Sequence, residues 1–347
     1  MKKLLFVIAI VVYLPVHIFC AQEVTKSFVA HGAFGPLDAR SGWMKTFCKR
    51  FDESVKQKQL GYLPMERFNW KQTTFGLTHQ EKIKAAKKFV ERKMALVKEE
   101  GVTNFVDVAH SYGGHMVAIA SQMLGVLFER AKEEETKNIA KGLLANLSEK
   151  LKDLLKDSSE LFDKCCDELW EKYKDDITTI VSNKGHIGFI KQAFILGSPL
   201  WYDGEPEPFN MFEYNLEVIG SVYNCYSVGD LVQNIAGDQL LPEEATDTGR
   251  AFNLRFKVEE SGRFTKISKL FSYFARLLHQ PTHFEMYSKP VVSDLLTIPS
   301  LVEAAAENNP TFFQSCDGGS IEFFNEVGKL PEFTLQEPGQ GVITEVV

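Results

Sequence analysis

The 347-residue chain has no block of like charge, and its net charge is −7 with 24% charged residues. Without a basic patch to neutralise phosphates, nothing electrostatic favours nucleic acid as a partner. Cysteine is sparse. Cys20, Cys48, Cys165, Cys166, Cys225 and Cys316 show no C-x-x-C spacing, so neither a disulfide framework nor a zinc site organises the chain. The apolar run near the start, Leu4 to Val16, is broken by Tyr13 and Pro15 and is short for a membrane span. No heptad pattern is sustained, which argues against a coiled coil.

What is there begins with an address. The basic start Met1-Lys2-Lys3 followed by the Leu4–Val16 run reads as a secretory signal, residues 1–21, with cleavage after Cys20 or Ala21. The protein is therefore expected to be exported, to a periplasm or beyond, with an uncleaved membrane anchor the less favoured alternative. Phe19 is bulky where a lipidated cysteine wants a small neighbour, so Cys20 is not read as lipidated. Roughly 325 residues remain, enough for one large α/β domain, assigned here to residues 22–330. The apolar content of 44% is ordinary for a globular protein.

Strand and helix signals alternate along that domain. Val24–Ala30 reads as a strand running into His31-Gly32-Ala33-Phe34, and a helix from about Ser41 places Trp43, Phe47 and Phe51 on one face. Met65–Trp70 reads as a second strand. Thr78-His79-Gln80-Glu81 is a capping box opening a helix that Gly101 closes. Asn104–Ala109 is an apolar strand that ends in His110-Ser111-Tyr112-Gly113-Gly114 and passes without a break into an amphipathic segment. From Arg130 to Asp176 long charged residues surround an apolar stripe (Leu143, Leu147, Leu151, Leu154, Phe162, Cys165, Leu169, Tyr173), which predicts a helical insertion. Strands ending in Gly197-Ser198-Pro199 and Ser227-Val228-Gly229-Asp230 follow, then a last strand candidate at Phe252–Val258 and a helical segment through Leu270, Phe274 and Leu277. Residues 331–347, rich in Gly, Pro and Glu, read as a loosely ordered tail. This alternation predicts an α/β fold: a mostly parallel central sheet covered by helices on both faces, whose functional residues collect at the carboxyl ends of the strands.

The sharpest of those strand ends is Ser111. A strand turning abruptly into a helix at a serine is the layout of a nucleophile elbow, where the residues two before and two after must be small. Here they are Ala109 and Gly113, making the pattern A-x-S-x-G. A serine hydroxyl needs a base, and the base needs an orienting acid. Asp230, just past a strand end, is the acid candidate, although an aspartate there also suits a helix N-cap. The base is narrowed to His283 or His279. His283 is favoured because it lies beyond Pro281, whereas His279 continues the preceding helical pattern. Two backbone donors would hold the oxyanion: the N–H of Tyr112, and one from the Gly32-Ala33-Phe34 loop, with Ala33 preferred. His31 reads as a residue that orients its loop, and His110 and His115 as supporting or surface residues.

Together these segments resemble the α/β-hydrolase superfamily, in particular its lipase- and esterase-like members. The resemblance is carried by His31-Gly32-Ala33-Phe34 (the HG-x-[FW] loop), Phe68-Asn69-Trp70 (F-x-W before a capped helix), His110-Ser111-Tyr112-Gly113-Gly114 (HSxGG), Gly197-Ser198-Pro199 (G-[ST]-P) and Asp230-Leu231-Val232 (D-x-V). It spans about Phe28 to His283. It implies a Ser111–Asp230–His283 triad, an oxyanion hole at Ala33 and Tyr112, an acyl-enzyme mechanism, no metal or cofactor, and a small-molecule ester or lipid substrate; peripheral contact with a membrane or lipid surface is the expectation attached to the apolar stripe of the insertion. Ala109 departs from the usual first elbow glycine, and residues 130–176 are an addition to the minimal fold. That insertion is expected to cap the site; the alternative is that its stripe only packs it onto the body. The same triad would serve an amidase or peptidase, and a catalytically silent binding protein is the reading from another class.

Overall fold

Phe28 and Ala30 face one side of their strand and Val29 the other, and the same alternation of buried residues recurs in every central strand. A strand buried on both faces belongs to a parallel sheet sandwiched between helices, and that is the observed architecture. The computed structural model describes residues 23–32, 43–70, 78–137, 156–198, 213–226, 241, 250–258, 295–300, 302, 311–316, 319–324 and 332–336.

In chain order the elements are β1 (Thr25–Ala30), α1 (Trp43–Gln57), β2 (Tyr62–Phe68), α2 (His79–Glu100), β3 (Asn104–His110), α3 (Gly113–Lys137), α4 (Lys156–Ser182), β4 (Ile190–Leu196), β5 (Ile219–Tyr226) and β6 (Ala251–Val258). A 3-10 turn (Leu295–Thr297) and the strands β7 (Thr311–Cys316), β8 (Gly319–Phe324) and β9 (Glu332–Gln336) follow. One sheet joins all nine strands in the order β2-β1-β3-β4-β5-β6-β9-β8-β7. From β2 through to β9 neighbours are parallel, and β8 pairs antiparallel with both β9 and β7.

Two cores lie on opposite faces. Phe28, Phe105, Ala109, Ala193 and Ile195 point toward α2, α3 and α4. Val29, Val106, Val108, Phe194 and Leu196 point toward α1 and the segment of Leu295, Ile298 and Val302. The α2 boundaries follow from local chemistry. Thr78 and Glu81 form the reciprocal capping box, and Gly101 closes the helix in the left-handed conformation with φ +65°.

The helical insertion divides. Its first residues belong to α3, which runs on to Lys137. Its second half is α4, whose stripe residues Phe162, Cys165, Leu169 and Tyr173 are buried in the core shared with α2 and α3. Lys87–Glu168, Arg130–Asp167 and Lys174–Glu134 ion pairs border that packing. Leu143, Leu147, Leu151 and Leu154 lie outside the described residues, as do the signal segment 1–21 and the helical segment through Leu270, Phe274 and Leu277.

Three differences from the sequence reading concern strands. β2 starts at Tyr62 rather than Met65, because Thr25 and Lys26 of β1 pair with Tyr62 and Leu63. β7 and β8 had no expectation. Residues 332–336, assigned by composition to a loose tail, form β9 between β6 and β8, so long-range pairing outweighs the polar bias of their surroundings. Cys48, Cys165, Cys166 and Cys225 are free thiols, and burial pushes all four up, Cys48 to about 12.

Candidate active site

Parallel pairing puts Ala30 beside Ala109 and His110 beside Leu196, so β1, β3 and β4 end together on one rim. The residues that follow them, His31-Gly32, Ser111 and Gly197-Ser198, are brought to one place by register alone. β5 pairs with β4 up to Cys225 against Leu196, which leaves its end at Tyr226 on the same rim.

Ser111 stands between the last residue of β3 and the start of α3 with φ +54°, in the left-handed region that disfavours a residue with a Cβ. Its N–H donates to the Leu196 carbonyl at 3.0 Å, continuing the ladder to β4. Its own carbonyl accepts from Gly114 N–H at 2.9 Å, opening the helix. The chain thus reverses from strand to helix at one residue, and the surroundings hold that strain. Gln59 and Lys184 share this φ at exposed positions; of the three, Ser111 alone is buried.

The small neighbours are required by contact. A Cβ on Gly113 would stand 2.9 Å from the Ala30 carbonyl oxygen and 3.0 Å from that of His31. On Gly32 it would stand 2.4 Å from Ser111 Cβ and 2.9 Å from Ser111 Oγ, and on Gly114, 2.3 Å from Ser198 Oγ. Gly32 therefore lies directly against the serine side chain. Ala109, where a glycine would be usual, is fully buried in the α3-side core, and a methyl group fits there.

Ser111 is 3% exposed, and His31, His110, His115 and Ser198 are buried around it. His31 Nδ1 lies 2.8 Å from the Gly32 carbonyl oxygen, which can only accept, so Nδ1 carries the proton. Burial holds the imidazole below its ordinary pKa of 6.5, against a smaller opposing effect of that hydrogen bond. The Trp70 indole N–H donates to the His31 carbonyl at 3.0 Å, and the two rings stack with centroids 5.8 Å apart. Tyr112 meets the edge of His115, and Lys82 Nζ lies 5.1 Å from the Tyr112 ring centroid. Burial raises the Tyr112 phenol.

Beneath the elbow, Asp107 on β3 meets Lys93 of α2 at 2.5 Å, with both side chains buried. The Lys93 ammonium also faces the rings of Phe28, Phe89 and Phe105 at 4.3–5.0 Å. Burial pushes Lys93 down and Asp107 up, and the charge of each opposes the shift of the other. The three aromatic faces favour the charged ammonium, so the pair is read as ionic.

Of the sequence-derived site residues, Ser111 lies at the turn from β3 to α3 and Tyr112 directly follows it. Ala33, Asp230, His283 and His279 lie outside the described residues. Asp230 follows the end of β5 by four residues. The chain returns at Leu241, whose N–H and carbonyl both bond to the Asn253 amide of β6 (2.8 and 3.2 Å), itself tied to Asn224 of β5. Sequence reasoning missed the Trp70–His31 clamp and the Lys93–Asp107 pair. The aromatic in Phe68-Asn69-Trp70 was a signal for the first; a lysine within a charged helix gave none for the second.

Among the described residues no three His, Cys, Asp or Glu side chains are grouped to hold a metal, and no helix is long and apolar enough to cross a membrane. Chemically, the arrangement offers a hydroxyl fixed on a sharp turn, next to backbone N–H groups at the start of a 25-residue helix. There, negative charge developing on a substrate would meet the positive end of the helix dipole.

No family profile matches the chain, and no curated protein matches it in sequence. Among solved structures it is similar to EstE1, a thermostable carboxylesterase cloned from a metagenomic library, at 10% identity over 82% of this chain and 78% of that one (TM-score 0.29). It is also similar to the phospholipase PlaB from Legionella pneumophila in complex with thio-NAD, at 13% identity over 87% and 67% (TM-score 0.30). The parallel sheet, helices on both faces and a strained serine between strand and helix make the fold α/β-hydrolase-like.

Proposed function

We propose that the chain is an exported serine hydrolase that cleaves carboxylic esters, with lipid-like acyl esters as its substrate class. The observation that carries this reading is the conformation of Ser111: a non-glycine residue at φ +54°, at the turn from β3 to α3, with Gly32 and Gly113 packed where a Cβ has no room. Gln59 and Lys184 adopt nearly the same φ at exposed helix ends, whereas Ser111 is buried (3% exposed) and held between a strand end and a helix start.

In this reading His283, with His279 as the alternative, takes the Ser111 proton as the hydroxyl attacks the ester carbonyl, and Asp230 orients the imidazole. The N–H groups of Tyr112 and Ala33 hold the oxyanion. The imidazolium then protonates the leaving alcohol and afterwards activates the water that releases the acid. Every step uses side chains and backbone of this chain, with no cofactor. Since the stripe of α4 is buried against α2 and α3, acyl-chain or lipid-surface contact is proposed for the other half of the insertion, whose stripe is Leu143, Leu147, Leu151 and Leu154.

A fluorophosphonate probe tests the reading directly. Folded wild-type protein is expected to be labelled and Ser111→Ala not; equal labelling of the two would refute the nucleophile. Turnover of p-nitrophenyl esters in preference to the matching anilides separates an esterase from an amidase.

A further inference from the structure

The peptide that joins Ser111 to Tyr112 is fixed through its carbonyl. That oxygen accepts from Gly114 N–H at 2.9 Å, so it points along α3. A planar trans peptide aims its N–H opposite to its carbonyl. The Tyr112 N–H is therefore directed out of the N-terminal end of α3, and no acceptor among the described residues takes it. The side chain of the same residue is held separately. The Tyr112 ring meets the edge of the His115 ring, with centroids 5.1 Å apart, and the Lys82 ammonium stands 5.1 Å from its centroid. Both partners are buried, His115 at 1% and Lys82 at 2% exposure.

Lys82 is carried there by α2. It lies eleven residues before Lys93, which is three helical turns on the same face and about 16.5 Å along the axis. Tyr112 lies five residues after Asp107, about 17 Å further along an extended chain. The two spacings match, so α2 meets the β3 segment at both ends of one span, Lys93 on Asp107 and Lys82 on Tyr112. We propose that Lys82 is a positioning residue for oxyanion stabilisation, holding the Tyr112 ring and through it the backbone N–H that meets the charge developing on the substrate. This inference rests on the serine-hydrolase reading of Ser111 and assigns a role to a residue that touches no substrate.

The test uses the full chain, p-nitrophenyl esters and the fluorophosphonate probe. Lys82→Met removes the charge and keeps an unbranched side chain; Lys82→Arg keeps a cation that stacks on an aromatic face. A cation held over a ring is worth about 2- to 30-fold in an equilibrium, so Lys82→Met is expected to lower kcat about 5-fold or more and Lys82→Arg to restore most of it. KM should stay within about twofold, because the donor acts on charge formed in the transition state. The fluorophosphonate inactivation rate should fall in step with kcat. Tyr112→Leu keeps the backbone N–H, removes the ring and should show the same loss. In Lys82→Met/Tyr112→Leu the two losses should not multiply, since Lys82 acts through the ring. Phe51→Leu, in the α1-side core, is the structural control: it lowers Tm and leaves kcat unchanged. If Lys82→Met does not fold, Lys82→Gln takes its place with the same expectation. Wild-type kcat in Lys82→Met, a loss that Lys82→Arg shares in full, or multiplying losses in the double variant would each overturn the proposal, and with Ser111 still labelled would leave the hydrolase reading standing. Absence of Ser111-dependent labelling in the wild type would instead overturn that reading, and this proposal with it.

Discussion

Replacing Lys93 with Met removes the ammonium from a fully buried pair while filling nearly the same space, so the cavity contribution is small. Asp107 then has two options: stay ionised without a partner in a cage of Phe28, Phe89 and Phe105, or take up a proton. Protonation sets the upper limit. From the ordinary carboxyl value of 3.8, holding the group neutral at pH 7 costs about 4 kcal/mol, at roughly 1.4 kcal/mol per pH unit. That lies within the range of about 3–5 kcal/mol for breaking buried pairs. The sign follows from linkage. In the variant, burial raises the folded-state pKa of Asp107 above its unfolded value. The associated stability is therefore complete below the unfolded value and is lost as pH rises. The penalty of Lys93→Met should shrink to about 1.6 kcal/mol at pH 5 and vanish near pH 4. The double variant Lys93→Met/Asp107→Leu, with no charge left to bury, should recover wild-type stability or exceed it, with no pH dependence in the difference. Urea unfolding of the three proteins at pH 5, 6 and 7, followed by circular dichroism, measures this. A Lys93→Met penalty below about 1 kcal/mol at pH 7, or one independent of pH, would refute the assignment of Lys93–Asp107 as a buried ion pair.

Two further outcomes follow from the elbow and its loop. Ser111→Gly should abolish activity and yet be more stable than Ser111→Ala by about 1 kcal/mol or more, since glycine relieves the +54° backbone and alanine does not; equal Tm values for the two would show that the turn is unstrained. His31, held below its ordinary 6.5 by burial, contributes stability that is present above 6.5 and lost as pH falls through its folded-state value. Between pH 7 and pH 5 the wild type should therefore lose more unfolding free energy than His31→Phe, and parallel losses in the two proteins would contradict this.

Much of the fold was legible because it is written locally. The short apolar run of Asn104–Ala109, the capping box at Thr78 and Glu81, and the left-handed glycine at position 101 each act within a few residues. The elbow was legible for the same reason: Ala109, Ser111 and Gly113 state a steric requirement over five positions. β7, β8 and β9 were not, since a strand of five or six residues is stabilised by partners distant in sequence, and the composition around residues 332–336 points the other way. The α4 stripe was seen, but an apolar stripe states that a helix packs and not against what.

The sequence by itself determined the alternating α/β plan and the serine at the turn from strand to helix, because backbone sterics, capping and side-chain periodicity are short-range. Only the tertiary structure decided what surrounds that serine. Parallel register brought Gly32, Ser111 and Ser198 to one rim, the sheet order set the end of β2 beside His31, and the packing of α2 on β3 closed Lys93 onto Asp107. Each of those contacts joins residues at least 14 positions apart, and their energy comes from burial, which a linear chain does not possess until it has folded.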